Sequence, residues 1–291
     1  MTPKVSVLYD VPGPRARIRN AVIGVLVVAV VAWLGYFVYT SLEANGQLTS
    51  EKWHPFVLGT TWTTYILPGL RGTVIAAVLA IAFALLLGAV LAVGRLSDHR
   101  WLRIVAGTVT EVFRASPVLI LMIFFYGVYA KYDAFKSTYL AIATVVTALT
   151  LYNGAVIAEI IRAGIKSLPK GQSEAAAAIG LRKNQIMRLI LLPQAVTAML
   201  PAILSQMVVA LKDSALGYQI GFVEVVRSGQ QIGSYYSNVL PSLLVIAAVM
   251  IALNSTLTTA ATKLEKRLRR RKRIPKRAKA GVAAVLPGTE L

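Results

Sequence analysis

The sequence predicts an all-α, polytopic membrane protein with six transmembrane helices. Of its 291 residues 56% are hydrophobic and only 15% are charged. The mean hydropathy is +0.65, beyond what a soluble domain of this length needs for its core. Six separate runs are apolar and long enough to be read as crossings of a hydrocarbon core of roughly 30 Å, at about 1.5 Å per helical residue.

In chain order, residues 1–20 form an N-terminal segment, and the first run spans Ala21 to Thr40. Arg15, Arg17 and Arg19 precede it as they would a secretory signal. The run is longer than a signal's apolar stretch and no A-x-A site follows, so it reads as an uncleaved anchor. Residues 41–69 are polar enough to lie outside the bilayer. The next runs are Leu70 to Gly94, Ser116 to Ala130, Ser137 to Ile160, Ala195 to Leu211 and Val239 to Thr262, the third and fifth being the shortest. A basic tail, 263–291, closes the chain.

Charge sets the expected orientation. The formal net charge is +19, yet the Lys and Arg residues are concentrated between and after apolar runs rather than spread over a surface. Six crossings divide the 31 basic residues into 25 on one side and six on the other, the latter being Lys52, Arg71, Lys131, Lys136, Lys212 and Arg227. Positive residues stay on the cytoplasmic side, which predicts that both termini and the long loop after the fourth run are cytoplasmic. The cluster KLEKRLRRRKRIPKR, Lys263 to Arg277, suits anionic lipid at about 1 kcal/mol per charge. It lacks the interleaved aromatics that stacking on bases would require, so nucleic acid is not an expected partner.

The same sequence excludes several chemistries. With no cysteine there is neither a disulfide nor a thiolate site, and His54 and His99 are too few and too far apart to predict a metal centre. No G-x-x-x-x-G-K-[ST] loop occurs, so the chain has no phosphate cradle for ATP. The two histidines fall on opposite sides of the predicted topology, which argues against a Ser-His-acid centre. The chain is not expected to be an enzyme and should bind no cofactor of its own.

The loop after the fourth run reads EAAAAIGLRKNQIMRLILLP, Glu174 to Pro193. Lys170 to Ile179 carries strong helix formers, Gly180 can end a helix in the left-handed region, and Asn184 can cap a second short helix that Pro193 closes. A helix-turn-helix hairpin at the inner membrane surface is predicted. Its alanines form a low-bulk face, while Glu174, Arg182, Lys183 and Arg188 stay solvated. Periodicity alone would also suit an ordinary interfacial hairpin.

Read as E-A-A, three residues, G, nine residues, I, one residue, L-P, the loop resembles the cytoplasmic signature of permease subunits of bacterial ABC importers. Glu174, Ala175, Ala176, Gly180, Ile190, Leu192 and Pro193 carry the match. The flanks EVFRASPVLI (Glu111 to Ile120), AEIIRAGIKSLPKGQ (Ala158 to Gln172), LPQA (Leu192 to Ala195) and LKDSALGYQIG (Leu211 to Gly221) resemble the polar amino acid branch. VLYDVPGPRARIRN (Val7 to Asn20) and LEANGQLTSEKWHPF (Leu42 to Phe56) are similar to glutamate importer permeases of high-GC Gram-positive bacteria.

The resemblance implies a five-helix type I ABC importer core over 70–262, with 163–193 as its coupling loop and the first helix an addition. It implies a bacterial plasma-membrane location, ATP and Mg on a partner ATPase dimer, a second homologous permease and an extracellular amino-acid-binding protein. The implied cargo is a polar amino acid, glutamate foremost. Another polar or basic amino acid, or an ATP-independent channel or scaffold, are the competing readings.

Charged and polar groups beside the spans supply the candidate pathway: Asn153, Glu159, Lys212 and Asp213, since ionisable groups at membrane depth usually face a cavity or a partner. Glu159 could equally pair with Arg162 at i+3, and Lys212 and Asp213 could reach the interface. Glu111 and Arg114, also at i+3, read as a structural pair.

Overall fold

The structure, a computed structural model, describes residues 13–271, with side chains as far as Arg267. The first twelve residues of the N-terminal segment and residues 272–291 of the basic tail lie outside the described residues. Among the described residues the chain is helical with no strand. Five helices are long and apolar enough to cross a membrane, and a bent helix pair brings the number to six.

Helix α1, Pro14–Ala44, opens on a proline that tolerates the first helical turn and has no buried residue. Its 31 residues span roughly 46 Å at 1.5 Å each, so the helix outreaches the predicted 21–40 at both ends. Val25, Val28, Val31 and Tyr36 are among its exposed apolar side chains, a composition that suits lipid on every face. Short turns over Ser50–Trp53, His54–Val57 and Gly59–Thr61, then a π-helical turn at Trp62–Ile66, lead into α2, Leu67–Arg95.

The centre of the molecule is the pairing of α2 with α5, Ser137–Lys166. Ala76, Ala80 and Ala84 recur every four residues on α2 and are fully buried, Ala76 and Ala80 sharing a cluster with Ala148 of α5, and further along Ala92 shares one with Ala158. Small residues at this spacing let two backbones approach, which is how helices associate where lipid removes the hydrophobic drive. Val118, Leu121, Met122, Val145, Leu149 and Phe222 complete the main core.

The third predicted crossing is different from expectation. Ser116 and Pro117 are extended, because a proline pushes the preceding residue out of the helical region. They separate α3, Arg100–Ala115, from α4, Val118–Lys131, at an angle of 104°. At 14 residues, α4 alone spans only about 21 Å, so the predicted Ser116 to Ala130 is not a full crossing by itself. Helix α3 is amphipathic. It buries Ala106 and Thr110 against α2 and α5 while exposing Trp101, Ile104 and Val112.

Beyond α5 lie α6, Lys170–Ala178, and α7, Leu192–Asp213. Between them a helical turn at Lys183–Gln185 continues through a π-helical turn, Ile186–Leu191, into α7. The second arm of the hairpin is therefore not a short helix closed by Pro193. Pro193 follows the π-helical turn Ile186–Leu191, whose altered bonding accommodates its missing N–H, and the chain runs helically from the loop into the membrane. Asn184 does not cap this arm. The cap position is Arg182, whose backbone N–H donates to Gln185 Oε1 at 2.8 Å.

A 3-10 turn, Ser214–Ile220, leads to α8, Val225–Tyr235, a helix that the hydropathy profile does not announce, and α9, Val239–Arg271, extends well past Thr262. Helix α8 seats on α2 at very close range. A Cβ on Gly72 would lie 2.1 Å from Val223 O, a backbone atom that cannot step aside. Gly72→Val should therefore displace α8 and cost ~3 kcal/mol, read as a lower thermal midpoint of the purified protein. Gly107→Ala, where a Cβ meets nothing within 4 Å, should leave that midpoint unchanged.

Contacts also sort the chain into two ends. Arg95 meets Glu111 and Glu159, and Lys183 meets Asp98, which gathers the ends of α2, α3 and α5 with the hairpin. At the opposite end Lys52 Nζ donates to Ser237 O at 2.6 Å and Asn238 Nδ2 donates to Lys52 O at 2.7 Å.

Candidate coupling loop and pathway

Helix α6 ends as the sequence predicts. Gly180 has φ +83° and sits two residues past Ala178. Its N–H donates to Ala177 O at 2.9 Å, and the Leu181 N–H donates to Ala176 O at 3.2 Å. This pair of bonds is a Schellman closure, which satisfies the carbonyls that a helix end leaves open. Ala176 is buried beneath it, whereas Glu174, Ala175 and Gly180 are exposed. Ile179 is 78% exposed. An isoleucine presented to water beside a row of alanines is a face awaiting a partner surface. On the other arm Ile190 and Leu192 are half-buried and Pro193 is exposed.

The hairpin is tied to the bundle by Lys183 and Asp98; the ammonium beside Asp98 holds its carboxyl below the ordinary carboxylate range. Behind it runs a chain of ion pairs. Arg114 reaches Glu111 at 2.5 Å, Arg95 reaches Glu111 at 3.1 Å and Glu159 at 2.8 Å, and Glu159 takes both Nε and Nη2 of Arg162, at 2.9 and 2.5 Å. Both i+3 pairs expected from the sequence are present. Arg95, counted there only as a loop charge, joins them, and nothing in its local sequence marks it. Glu159 is thus held by two guanidiniums at the hairpin end.

Asn153 is buried at mid-height in α5, donating to Leu149 O at 2.8 Å and accepting from Gln206 Nε2 of α7 at 2.8 Å. The bridge fixes α7 against α5 through one polar contact, and Gln206 is a partner that sequence spacing could not pair with it. Lys212 and Asp213 end α7 at the opposite end from the ion-pair chain. Lys212 is exposed and Asp213 half-buried, and neither side chain has a hydrogen bond or ion pair among the described residues. The structure therefore does not bring Glu159 together with Lys212 and Asp213.

Glu224, between two spans, was not singled out by the sequence. It is fully buried and caps α8, accepting from the Val226 and Arg227 N–H groups at 2.8 and 2.5 Å. Its one legible signal is an acid directly ahead of a helical run. Burial pushes its carboxyl up to about 7, against the two N–H bonds that favour the ion. A raised carboxyl contributes stability that is full below its ordinary range and lost as pH rises through about 7. The thermal midpoint should accordingly fall between about pH 5 and pH 8, and Glu224→Gln should flatten that slope.

Comparison with known proteins follows the same geometry. The family described as "Binding-protein-dependent transport system inner membrane component" matches residues 84–270. The chain is 57% identical over 228 residues to the glutamate transport system permease protein GluD of Corynebacterium glutamicum, covering 78% of this chain and 84% of that one. It is 35% identical to the arginine transport system permease protein ArtQ of Bacillus subtilis, covering 70% of this chain and 93% of that one. Among solved structures, an amino acid ABC transporter crystallised with histidines matches with a TM-score of 0.66 at 30% identity, over 71% of this chain and 95% of that one. An inward-facing MetNI methionine ABC transporter shares the fold, with a TM-score of 0.58 at 19% identity over 72% and 96% of the two chains.

Proposed function

The chain belongs to the family of binding-protein-dependent transport system inner membrane components and is a permease subunit of an ABC importer for amino acids; from that premise we propose that it carries glutamate inward, driven by ATP hydrolysis on a separate subunit. The observation that carries the cargo is the 57% identity to a glutamate permease. The hairpin carries the mechanism: α6, closed at Gly180 and presenting Ile179 and its alanines, continues through the π-helical turn into α7. A push on the hairpin would therefore move a membrane helix without an intervening loop to absorb it.

In this account the ATPase dimer, with ATP and Mg, docks on Glu174, Ala175 and Gly180, with buried Ala176 packed beneath them, while Ile190, Leu192 and Pro193 carry the second arm into α7. The hairpin end and both termini face the cytoplasm, as the 25 to six division of Lys and Arg supports. A second permease and an extracellular binding protein complete the complex. The closed ATPase dimer drives transport by binding one arrangement of the helices more tightly than the other. At the outer side Lys212 and Asp213 offer one charge of each sign, without a hydrogen bond or ion pair among the described residues, to the carboxylate and ammonium of an amino acid. Asn153, locked to Gln206, supports α7.

Uptake of labelled amino acid into proteoliposomes holding the whole complex tests this reading. Excess unlabelled glutamate should suppress labelled glutamate import far better than excess arginine or histidine. Stronger suppression by the basic amino acids would overturn the cargo and leave the importer assignment standing.

A further inference from the structure

Helix α8 presents a polar face that the pathway above does not use. Arg227, Gln230, Gln231 and Ser234 recur at i, i+3, i+4 and i+7, one stripe of a helix. With Tyr65 and Tyr235 they line an open groove of about 690 Å³, within the range of small-molecule sites, ~300–1,000 Å³. Arg227 has no carboxylate within ion-pair distance among the described residues; its nearest polar side-chain contact is Gln230 Oε1, 3.4 Å from Nη1. The acid nearest in sequence, Glu224, is buried and spends both oxygens on backbone N–H groups. The groove is thus a half-buried guanidinium ringed by neutral donors, with no anion supplied by the described residues.

The 3-10 turn that follows Lys212 and Asp213 packs on α8, the helix that carries Arg227. A planar guanidinium recognises carboxylate in two parallel hydrogen bonds, and the amides, hydroxyl and phenols around it can hold the remaining polar atoms. We propose that this groove is a carboxylate subsite, in which Arg227 takes the side-chain carboxylate of an acidic amino acid while Lys212 and Asp213 take its zwitterionic end. The inference rests on the glutamate reading and supplies the selectivity for an acidic side chain that one Lys and one Asp do not.

The test uses the reconstituted complex with its binding protein. At saturating liganded binding protein, Arg227→Gln should lower glutamate uptake at least about tenfold, the scale of one charge-assisted bond, and Arg227→Lys, which keeps the charge but not the two-bond fork, should restore only part of it. The binding-protein concentration that half-maximally stimulates ATP hydrolysis should stay within about twofold of wild type, since one charge on the cargo is not a docking contact. Gln230→Glu, an isosteric change at the side chain whose Oε1 lies 3.4 Å from Arg227 Nη1, should engage Arg227 at i+3 and reproduce the loss in a protein whose fold is not at risk. A rise in that half-stimulating concentration, with uptake regained at higher binding protein, would assign the groove to an acidic patch of the binding protein and overturn the proposal. Unchanged uptake in Arg227→Gln and Gln230→Glu would overturn it too. Failure of the wild type to import glutamate would instead sink the cargo reading on which it rests.

Discussion

Gly180→Val is expected to abolish transport while leaving the protein inserted, assembled and present at normal levels. At φ +83° a side chain meets no atom within 4 Å, so the substitution creates no clash. Its cost is backbone strain alone, about 1–2 kcal/mol and higher for a β-branched residue. That cost is small against insertion of six crossings and large for a nine-residue helix on the surface. The chain would relieve it by leaving the left-handed region, opening the bonds from Gly180 and Leu181 to α6 and turning Ile179 and the alanines away from their partner. Gly180→Asn, which accepts a positive φ, should retain most of the uptake. Substantial uptake by the valine variant, measured against membrane levels by immunoblot, would count against a coupling role for the turn.

Lys212→Met should reduce uptake by roughly 10- to 100-fold, the loss of a charge-assisted hydrogen bond to a carboxylate. The substitution keeps the length of the side chain and removes only its charge, and the exposed lysine has no ion pair among the described residues to break. The ATPase should still co-purify, because Lys212 lies at the end opposite the hairpin. Lys131→Met, which removes an ammonium held 5.6 Å from the Tyr132 ring, should be close to neutral. Equal, mild effects of the two substitutions would show that net outer charge, rather than a bond at Lys212, was at stake.

The elements that the sequence made legible were those governed by local chemistry. Long apolar runs became α1, α2, α5 and α9, and the Gly180 closure followed from a residue type that tolerates positive φ. Proline was the point of ambiguity: at Pro117 it separates two helices, while at Pro193 one helix runs through it beside a π-helical turn, and composition does not tell the two apart. The amphipathic α3 was hidden for a related reason, since a helix with one polar face carries too many charges for a hydropathy window to register. Of the candidate sites, the i+3 pairs at Glu111 and Glu159 could be read directly. Arg95, Gln206 and Glu224 act through partners or burial set by tertiary packing, and Arg227 was visible only as one of six outer charges until α8 gave its neighbours a common face.

The central claim is that the hairpin is where the ATPase engages. Because the chain contains no cysteine, Ile179→Cys creates a unique thiol on the most exposed apolar position of that loop, and a maleimide-benzophenone probe attached there can be photolysed in the assembled complex. The account predicts an adduct with the ATPase subunit whose yield changes between the nucleotide-free and ATP-bound states, and none when the probe sits on Thr60→Cys at the opposite end. An intact, transporting complex that gives no ATPase adduct from position 179, or gives one equally from position 60, would contradict it.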